Sequence, residues 1–353
     1  MIERFSTSAG LSAEPEHLEQ RVYCVIPSYR AAGTIVDVVR EALKQADVVI
    51  VVDDACPERS GQVVREAYDG DGRVQVIERD RNGGVGAATK TGIGAALDQG
   101  ADVIVKLDAD GQMDPAFISS IRRLFNHDPS LVCVKGNRFF DSNVINLMPR
   151  TRLIGNAVLS LLVKCASGYW NAIDPTNGYL AFNGPLLKVL PWKSFADSYF
   201  FEMSVLCELG LKRLPILELE MPAIYTSGPS SLAISRVIFE FPPHLFRLTI
   251  RRLLIQYFIF DVNLGSLYCV FGLLLALFGL SFGVYEWIEA AITHISRATG
   301  TIMLAAVTFL MGFQLLLNAL MYDVQFSQKT YHELKVNDKS RSLLPKPGSA
   351  KFH

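Results

Sequence analysis

Short β-branched runs alternate with helix-like stretches between residues 22 and 134, and this alternation constrains the fold most strongly. Each run is continuously apolar, as expected of a strand buried on both faces of a sheet. Between the runs, apolar residues recur at the 3.6-residue period of a helix packed on one face. The predicted strands are 22–26, 48–52, 74–77, 102–107 and 131–134, and the predicted helices are 61–68, 86–97 and the stretches after Thr34 and Pro115. The pattern predicts an α/β domain with a Rossmann-like, mostly parallel sheet.

The 50% hydrophobic content is high for a purely soluble protein, and the excess is concentrated in two apolar stretches without a charged residue, 264–285 and 301–322. As a helix, each is long enough to cross a bilayer core of about 30 Å, and a buried helical hairpin is the alternative. Basic residues precede the first stretch and follow the second, whereas the connection carries Arg297 against two glutamates. The distribution predicts two transmembrane helices with a cytoplasmic N-terminal domain and a basic cytoplasmic tail, 323–353.

Overall charge and cysteine usage exclude other classes. The net charge of −1 argues against a nucleic-acid partner. The six cysteines form no C-x-x-C pair, which indicates reduced core residues in a reducing compartment. Residues 1–20 are polar and lack the apolar run of a signal peptide, so we expect an N-terminal arm.

An acidic cluster follows the predicted strand 102–107. If the chain stays extended there, Asp108, Asp110 and Gln112 point to one side and can share a ligand. Oxygen donors of this kind suit Mg²⁺ or Mn²⁺, with the remaining positions left to water and diphosphate oxygens. The alternative is a solvated turn.

A second acidic pair, Asp53 and Asp54, ends the strand 48–52 and should line the same crevice, since ligands sit at the carboxyl ends of parallel strands. The glycine-rich turn 82–88 opens a helix, and Gly86 would let the backbone come close to a nucleotide or sugar. The turn is neither a Walker loop nor a dinucleotide fingerprint, so alone it proves little.

Taken together and in order, six motifs resemble glycosyltransferase family 2, and more closely its dolichol- or undecaprenyl-phosphate sugar synthases, including bacterial members with two C-terminal spans. The motifs are Val25-Ile26-Pro27-Ser28-Tyr29, Val51-Val52-Asp53-Asp54, Asn82-Gly83-Gly84-Val85-Gly86-Ala87, Asp108-Ala109-Asp110-Gly111-Gln112, Gly136-Asn137-Arg138 and Asp174-Pro175-Thr176-Asn177-Gly178-Tyr179. The resemblance covers about residues 21–322. It implies a GT-A domain at 21–230, interfacial amphipathic helices at 231–263 and two membrane helices within 264–322.

The same resemblance implies roles for individual residues. The nucleotide-sugar site would comprise Pro27, Tyr29, Asp53, Asp54, Gly86 and Asp108, and the metal ligands would be Asp108, Asp110 and Gln112. Arg138 and Arg152 resemble the two arginines that clamp the acceptor phosphate, a task suited to the guanidinium fork. For each arginine the alternative is an ordinary surface ion pair.

The implied activity is inverting transfer of a sugar from a UDP- or GDP-sugar to a polyprenyl phosphate, at the cytoplasmic face of the bacterial inner membrane, for cell-envelope glycans. A lipid phosphate is largely ionised at neutral pH and needs a cationic clamp more than a base. The alternative, a sugar hydroxyl on a lipid-linked or polymeric acceptor, would need a carboxylate base, for which Asp174 and Glu202 are candidates. Either residue can instead be a helix cap or a structural anion. The donor sugar and the oligomeric state stay open, with a homo-oligomer among the alternatives.

Two departures from the family pattern stand out. Arg30-Ala31-Ala32 follows Tyr29 where an acidic residue is usual, and Leu232 replaces a lysine that would contact phosphate. Residues 232–260 combine aromatic and basic side chains, which favours helices at the lipid headgroups, divided at Pro242-Pro243. A bundle packed inside the domain is the alternative.

Overall fold

Seven strands form one mixed sheet with the order β3-β2-β1-β4-β6-β5-β7. The computed structural model describes residues 20–138, 150–221 and 240–330, with the backbone alone for 150–152 and 326–330. The strands are β1 Val22–Ser28, β2 Val48–Asp53, β3 Val74–Glu78, β4 Val103–Lys106, β5 Cys133–Asn137, β6 Leu180–Asn183 and β7 Ile216–Glu220. Only β6, among the strands of the described ranges, runs antiparallel to its neighbours. The predicted mostly parallel α/β sheet is confirmed.

Helices cover both faces of the sheet. They are α1 Ile35–Ala42, α2 Ser60–Ala67, α3 Val85–Asp98, α4 Phe117–His127, α5 Arg150–Ser167, α6 Gly184–Lys188, α7 Phe201–Leu211, α8 Phe241–Leu254, α9 Leu264–Thr293 and α10 Thr299–Thr330, with a π-helical turn at Ile255–Phe260. Helices α1, α2 and α4 share one core with the sheet, and α3, α5, α7 and α8 share the core on the opposite face. The strand ends that carry the acidic motifs lie between these two layers.

Several elements differ from expectation. Helix α7, which carries Glu202, has no polar face: it buries every residue except Glu208, because it lies inside the core cluster that it shares with α5. Thr34 precedes α1 as predicted, but its hydroxyl donates to the Ala109 carbonyl at 2.6 Å instead of capping the helix. A helix does begin at the predicted break: Pro242 and Pro243 lie in the first turn of α8, where a missing N–H costs nothing, and the segment before residue 240 lies outside the described residues. The expected domain boundary near 230 and Leu232 lie outside the described residues.

Helices α9 and α10 contain the two predicted spans and extend beyond them. Both are long and apolar enough to cross a membrane. They pack closely: a Cβ on Gly279 would overlap the Phe309 backbone, and one on Gly312 would overlap Ala276. Positions 323–330, expected to begin the tail, continue α10.

A buried polar cluster joins α10 to the α/β domain. Both Arg252 terminal nitrogens donate to the Asp323 carboxylate at 2.8 Å, and Trp170 Nε1 and Tyr257 OH donate to it at 2.7 Å. Arg252 also donates to the Cys165 carbonyl through Nε and Nη2, at 3.1 and 2.9 Å. Helices α5, α8 and α10 are therefore fixed to one another at this point.

Candidate active site

Asp53 and Asp54 end β2 and organise the loops around the crevice. The Asp53 carboxylate accepts from the backbone N–H groups of Cys56 and Gly61, each at 2.6 Å, and so anchors the start of α2. Asp54 forms an ion pair with Arg79 and accepts from the Gly84 N–H at 2.8 Å. Both side chains are buried, and their predicted contacts with a nucleotide stay predictions.

Tyr29 lies just beyond the end of β1, whose Pro27 is buried beside Val52. The Tyr29 ring is 43% exposed, so one ring face can receive a base, and Arg30 lies 5.4 Å from the ring centroid. Glu58 accepts from the Ala32 N–H at 3.4 Å. An acidic side chain of another loop thus lies beside residue 32, whereas the sequence directly after Tyr29 has none.

The glycine-rich turn is packed against another part of the chain. The Ala87 N–H donates to the Asp197 carbonyl at 2.9 Å, and a Cβ on Gly86 would overlap the Ala196 carbonyl oxygen. Gly84 has a φ of +94°, a conformation that favours glycine. The close approach that we ascribed to a nucleotide at Gly86 is occupied by residues 196–197. A nucleotide contact of Gly86 stays a prediction.

The acidic cluster after β4 forms a turn. The strand ends at Lys106 and Gly111 has a φ of +73°, so the extended geometry assumed for residues 108–112 does not apply. One Asp108 oxygen lies 2.6 Å from Lys106 Nζ, and Asp110 Oδ1 accepts from the Gln112 N–H at 3.0 Å. Asp110 and Gln112 are exposed and Asp108 is partly so, which leaves all three accessible to a ligand.

This turn fits a divalent cation. Although the Asp110 residue as a whole is exposed, partial desolvation of its carboxyl group raises its pKa, and the charge of Asp108 raises it further. A cation would relieve that repulsion, and an all-oxygen donor set suits Mg²⁺ or Mn²⁺. No cluster of three or more His, Cys, Asp or Glu side chains suitable for a metal occurs in the described ranges. The protein would therefore supply two carboxylates and the Gln112 amide, and leave the other positions to water or substrate.

Lys106 and Glu202 form a buried charge cluster with Asp108. Lys106 is 1% exposed, and its ammonium lies 2.6 Å from Asp108 Oδ1 and 3.0 Å from Glu202 Oε1. Burial alone would lower the pKa of Lys106, but the two carboxylates outweigh it and raise the pKa. Gly178 has no Cβ to collide with this pair. Glu202, predicted as a candidate base, thus contacts a metal-ligand candidate through one lysine.

Arg138 and Asp174 form a second buried pair. Arg138 Nε and Nη2 donate to the two Asp174 oxygens at 2.8 and 3.0 Å, and the Arg138 N–H donates at 3.1 Å. Asp174 is fully buried whereas the Arg138 side chain is 34% exposed. Although burial raises it, the pKa of Asp174 is held below its usual value by hydrogen bonds and charge from Arg138. Arg138 is thereby held rigidly at the crevice.

Strand β6 brings these two pairs together. Its Leu180 is the register partner of Lys106 on β4 and of Lys135 on β5, so both lysines lie on the same face about 10 Å apart, two interstrand spacings. Burial lowers the pKa of Lys135, although Asp174 and Glu218 oppose the shift. Lys135 Nζ donates to the Asn177 carbonyl at 2.8 Å.

Sequence reasoning gave no role to Lys106, Lys135 or Glu218. For Lys106 the available signal was a lysine inside the otherwise apolar predicted strand 102–107, and Lys135 directly follows the predicted strand 131–134. Arg152 lies in the first turn of α5, and its side chain is outside the described residues, so the paired clamp with Arg138 stays a prediction.

The sheet and its acidic strand ends define the chain as a GT-A-type α/β protein. Residues 23–178 match the family described as Glycosyl transferase family 2. The chain is 30% identical over 221 residues to a UDP-N-acetylglucosamine–dolichyl-phosphate N-acetylglucosaminyltransferase of Methanococcus voltae, covering 59% of this chain and 87% of that protein. It belongs to glycosyltransferase family 2, in the group of polyprenyl-phosphate sugar synthase-like proteins.

Two further relatives support this placement. An undecaprenyl-phosphate mannosyltransferase of Micrococcus luteus is 30% identical over 48% of this chain and 69% of its own length. A polyprenol monophosphomannose synthase of Mycolicibacterium smegmatis is 31% identical over 53% of this chain and 71% of its own length. The names of these two relatives include mannose, whereas that of the Methanococcus voltae relative includes N-acetylglucosamine.

Proposed function

We propose that this protein transfers a sugar, with inversion, from a nucleoside-diphosphate sugar to a polyprenyl phosphate. The acceptor is supported by three relatives whose names include a dolichyl, undecaprenyl or polyprenol phosphate acceptor or product. Because those names include both N-acetylglucosamine and mannose, the donor sugar and its nucleotide remain to be measured.

One observation carries the choice of a phosphate acceptor: both candidate bases are buried and paired with cations. Asp174 is bound to Arg138 and has a lowered pKa, which makes it a weak base. Glu202 is paired with Lys106. A hydroxyl acceptor would need one of them to take a proton, whereas an ionised phosphate needs neither.

The residues of the candidate site divide into those that would bind the donor and those that would bind the acceptor. Pro27, Tyr29 and Asp53 or Asp54 would hold the nucleotide base and ribose, with the exposed Tyr29 ring stacking on the base. Arg138, oriented by Asp174, binds the acceptor phosphate, and Arg152 is its proposed partner. An acceptor oxygen forms a bond to the anomeric carbon while the bond to the diphosphate breaks, and the nucleoside diphosphate departs with the electron pair. A divalent cation at Asp108, Asp110 and Gln112 would supply charge neutralisation for that leaving group.

We further propose that the reaction takes place at the cytoplasmic face of the bacterial inner membrane and contributes to the synthesis of cell-envelope glycans. Support comes from the exposed Arg247 and Arg251 near the start of the membrane hairpin and from its far end, where Arg297 pairs with Glu286 and Glu289. A membrane-impermeant thiol reagent should label T293C but not S349C in intact cells. Labelling of S349C alone would reverse the orientation.

Product analysis tests the activity itself. The full chain in nanodiscs is incubated with undecaprenyl phosphate and, separately, UDP- and GDP-sugars, and lipid products are identified by mass spectrometry. We expect a glycosyl-phosphoryl lipid from one donor. Products formed only on sugar hydroxyls of added glycolipids would instead establish the alternative acceptor.

A further inference from the structure

Lys135 is a buried cation to which the proposed reaction gives no task. It lies on β5, its side chain is fully buried, and its Nζ donates to the Asn177 backbone carbonyl at 2.8 Å. Within the described ranges Lys135 forms no ion pair, whereas Lys106, on the same face of the sheet, pairs with two carboxylates. Burying an ammonium is costly. For Lys135 that cost is set against one hydrogen bond to a backbone carbonyl.

The Asn177 carbonyl belongs to a turn, 173–178, that other charged side chains also hold. The Glu218 carboxylate accepts from the first two backbone N–H groups of the turn, at 2.9 and 3.2 Å. Arg138 then binds the Asp174 carboxylate through Nε and Nη2. The turn is therefore fixed by charged side chains at its start and, through the bond to Lys135, near its end.

The end of the turn contacts the metal-ligand candidate. A Cβ on Gly178 would lie 2.7 Å from Asp108 Oδ2 and 2.8 Å from Lys106 Nζ. Gly178 is not among the glycines with a positive φ, so this contact favours glycine here, and the backbone conformation does not require it. The peptide between Asn177 and Gly178 is a rigid plane. A shift of the carbonyl that Lys135 holds would therefore also move Gly178 against Asp108.

The proposed reaction depends on the separation of its two half-sites. The acceptor phosphate at Arg138 must reach the anomeric carbon of a donor whose diphosphate is held at Asp108. Misplacement of reacting groups by about 1 Å can lower a rate about 100-fold. A contact that keeps Asp108 in place relative to Arg138 would therefore matter for the rate without touching either substrate.

We propose that Lys135 is a positioning residue, which acts through the Asn177–Gly178 peptide and fixes the Asp108 carboxylate relative to Arg138. This inference rests on the proposed function and deepens it, because one strand end then carries the acceptor clamp and also supports the metal site. Lys135 is buried beneath the crevice and contacts the backbone, so it is not itself a catalytic residue.

Mn²⁺ binding, measured by electron paramagnetic resonance on the full chain in nanodiscs, tests the inference without catalysis. K135M removes the donor and keeps a side chain of similar length, and the Mn²⁺ dissociation constant should rise about 10-fold. K135Q retains a donor and should recover part of this loss. V134A, at the adjacent buried position on the opposite face of β5, is the matched control and should leave Mn²⁺ binding unchanged.

G178A tests the other end of the same peptide. Its Cβ would displace the Asp108 carboxylate or the Lys106 ammonium, so the Mn²⁺ dissociation constant should rise here as well. If both substitutions act through one peptide, the K135M/G178A double variant should show less than the product of the two single effects. A full product would indicate two independent causes and would overturn the inference.

Two further outcomes would overturn it. Mn²⁺ binding in K135M equal to that of the wild type would show that Asp108 does not depend on Lys135. An equal rise in V134A would show a general loss of packing. Lipid glycosylation by the wild type is assayed separately. A glycosyl-phosphoryl lipid product with unchanged Mn²⁺ binding in K135M would refute only the positioning role, and weakened binding without such a product would refute only the proposed function.

Discussion

Arg252 and Asp323, 71 positions apart, form a buried bidentate ion pair that connects the catalytic domain to helix α10. Removing one partner leaves an uncompensated buried charge, so R252M should lower the free energy of unfolding by about 3–5 kcal/mol. Neighbouring Arg251 pairs with Glu208 at the surface and is the matched control, with an expected loss of about 0–1 kcal/mol for R251M. Denaturation of the full chain in nanodiscs measures both. Equal losses would contradict a special role for the pair.

Asp110 tests the metal site. D110N should lower turnover by at least about 100-fold and weaken Mn²⁺ binding, measured by electron paramagnetic resonance. EDTA should abolish wild-type turnover, and Q112A should be milder because water can replace a neutral ligand. D98N, at an exposed carboxylate, is the control. Full activity in EDTA would refute the metal assignment.

Glu202 can be distinguished as a positioning residue or a base. If it orients Asp108 through Lys106, E202Q should raise the Mn²⁺ dissociation constant about 10–100-fold, because the whole charge of Lys106 then acts on Asp108. E208Q, on the same helix, should leave Mn²⁺ binding unchanged. Unaltered Mn²⁺ binding in E202Q together with a collapsed kcat would instead identify a base.

Arg138 tests the acceptor. R138A should lower kcat/KM for polyprenyl phosphate by an amount equivalent to a loss of about 2–4 kcal/mol of transition-state stabilisation. Nucleotide binding should remain nearly unchanged. D174N alone is ambiguous because it also releases Arg138, so the double variant is needed. If Asp174 acts only through Arg138, the R138A/D174N double variant should have the same kcat/KM as R138A. A further large loss would favour a separate catalytic role for Asp174.

The same pair predicts a pH-dependent stability. An unfolded aspartate titrates near pH 3.9, and the folded pKa of Asp174 is lower, so the pair stabilises the fold above about pH 4 and this contribution is lost as pH falls through the folded pKa. R138A should therefore lower the free energy of unfolding by about 2 kcal/mol at pH 7, discounted for the exposed guanidinium, and by less as pH falls below about 4. R122A, which breaks the more exposed pair with Asp47, is the control. A difference independent of pH would contradict this coupling.

Local sequence patterns predicted some features of the fold and of the site correctly and others incorrectly or not at all. The strands of the first half were predictable because buried parallel strands are continuous β-branched runs, and the spans because their length is set by the bilayer. Strand β6 escaped prediction because only four residues form it and its antiparallel pairing is non-local. The contact of Lys106 with Glu202 joins residues 96 positions apart, which no spacing rule links. The alternation rule failed at 108–112 because it assumes a strand, whereas Gly111 turns the chain.

The packing of residues 196–197 against Gly84 and Gly86 has a consequence for how variants are interpreted. That segment leads into α7, which carries Glu202. The start of α3 and the segment before α7 are therefore packed together and should shift together. An alanine at Gly86 would push the Ala196 carbonyl aside and disturb both ends of the crevice at once. Loss of activity in such a variant could therefore result from the displaced backbone alone. It would not by itself show that Gly86 contacts the donor.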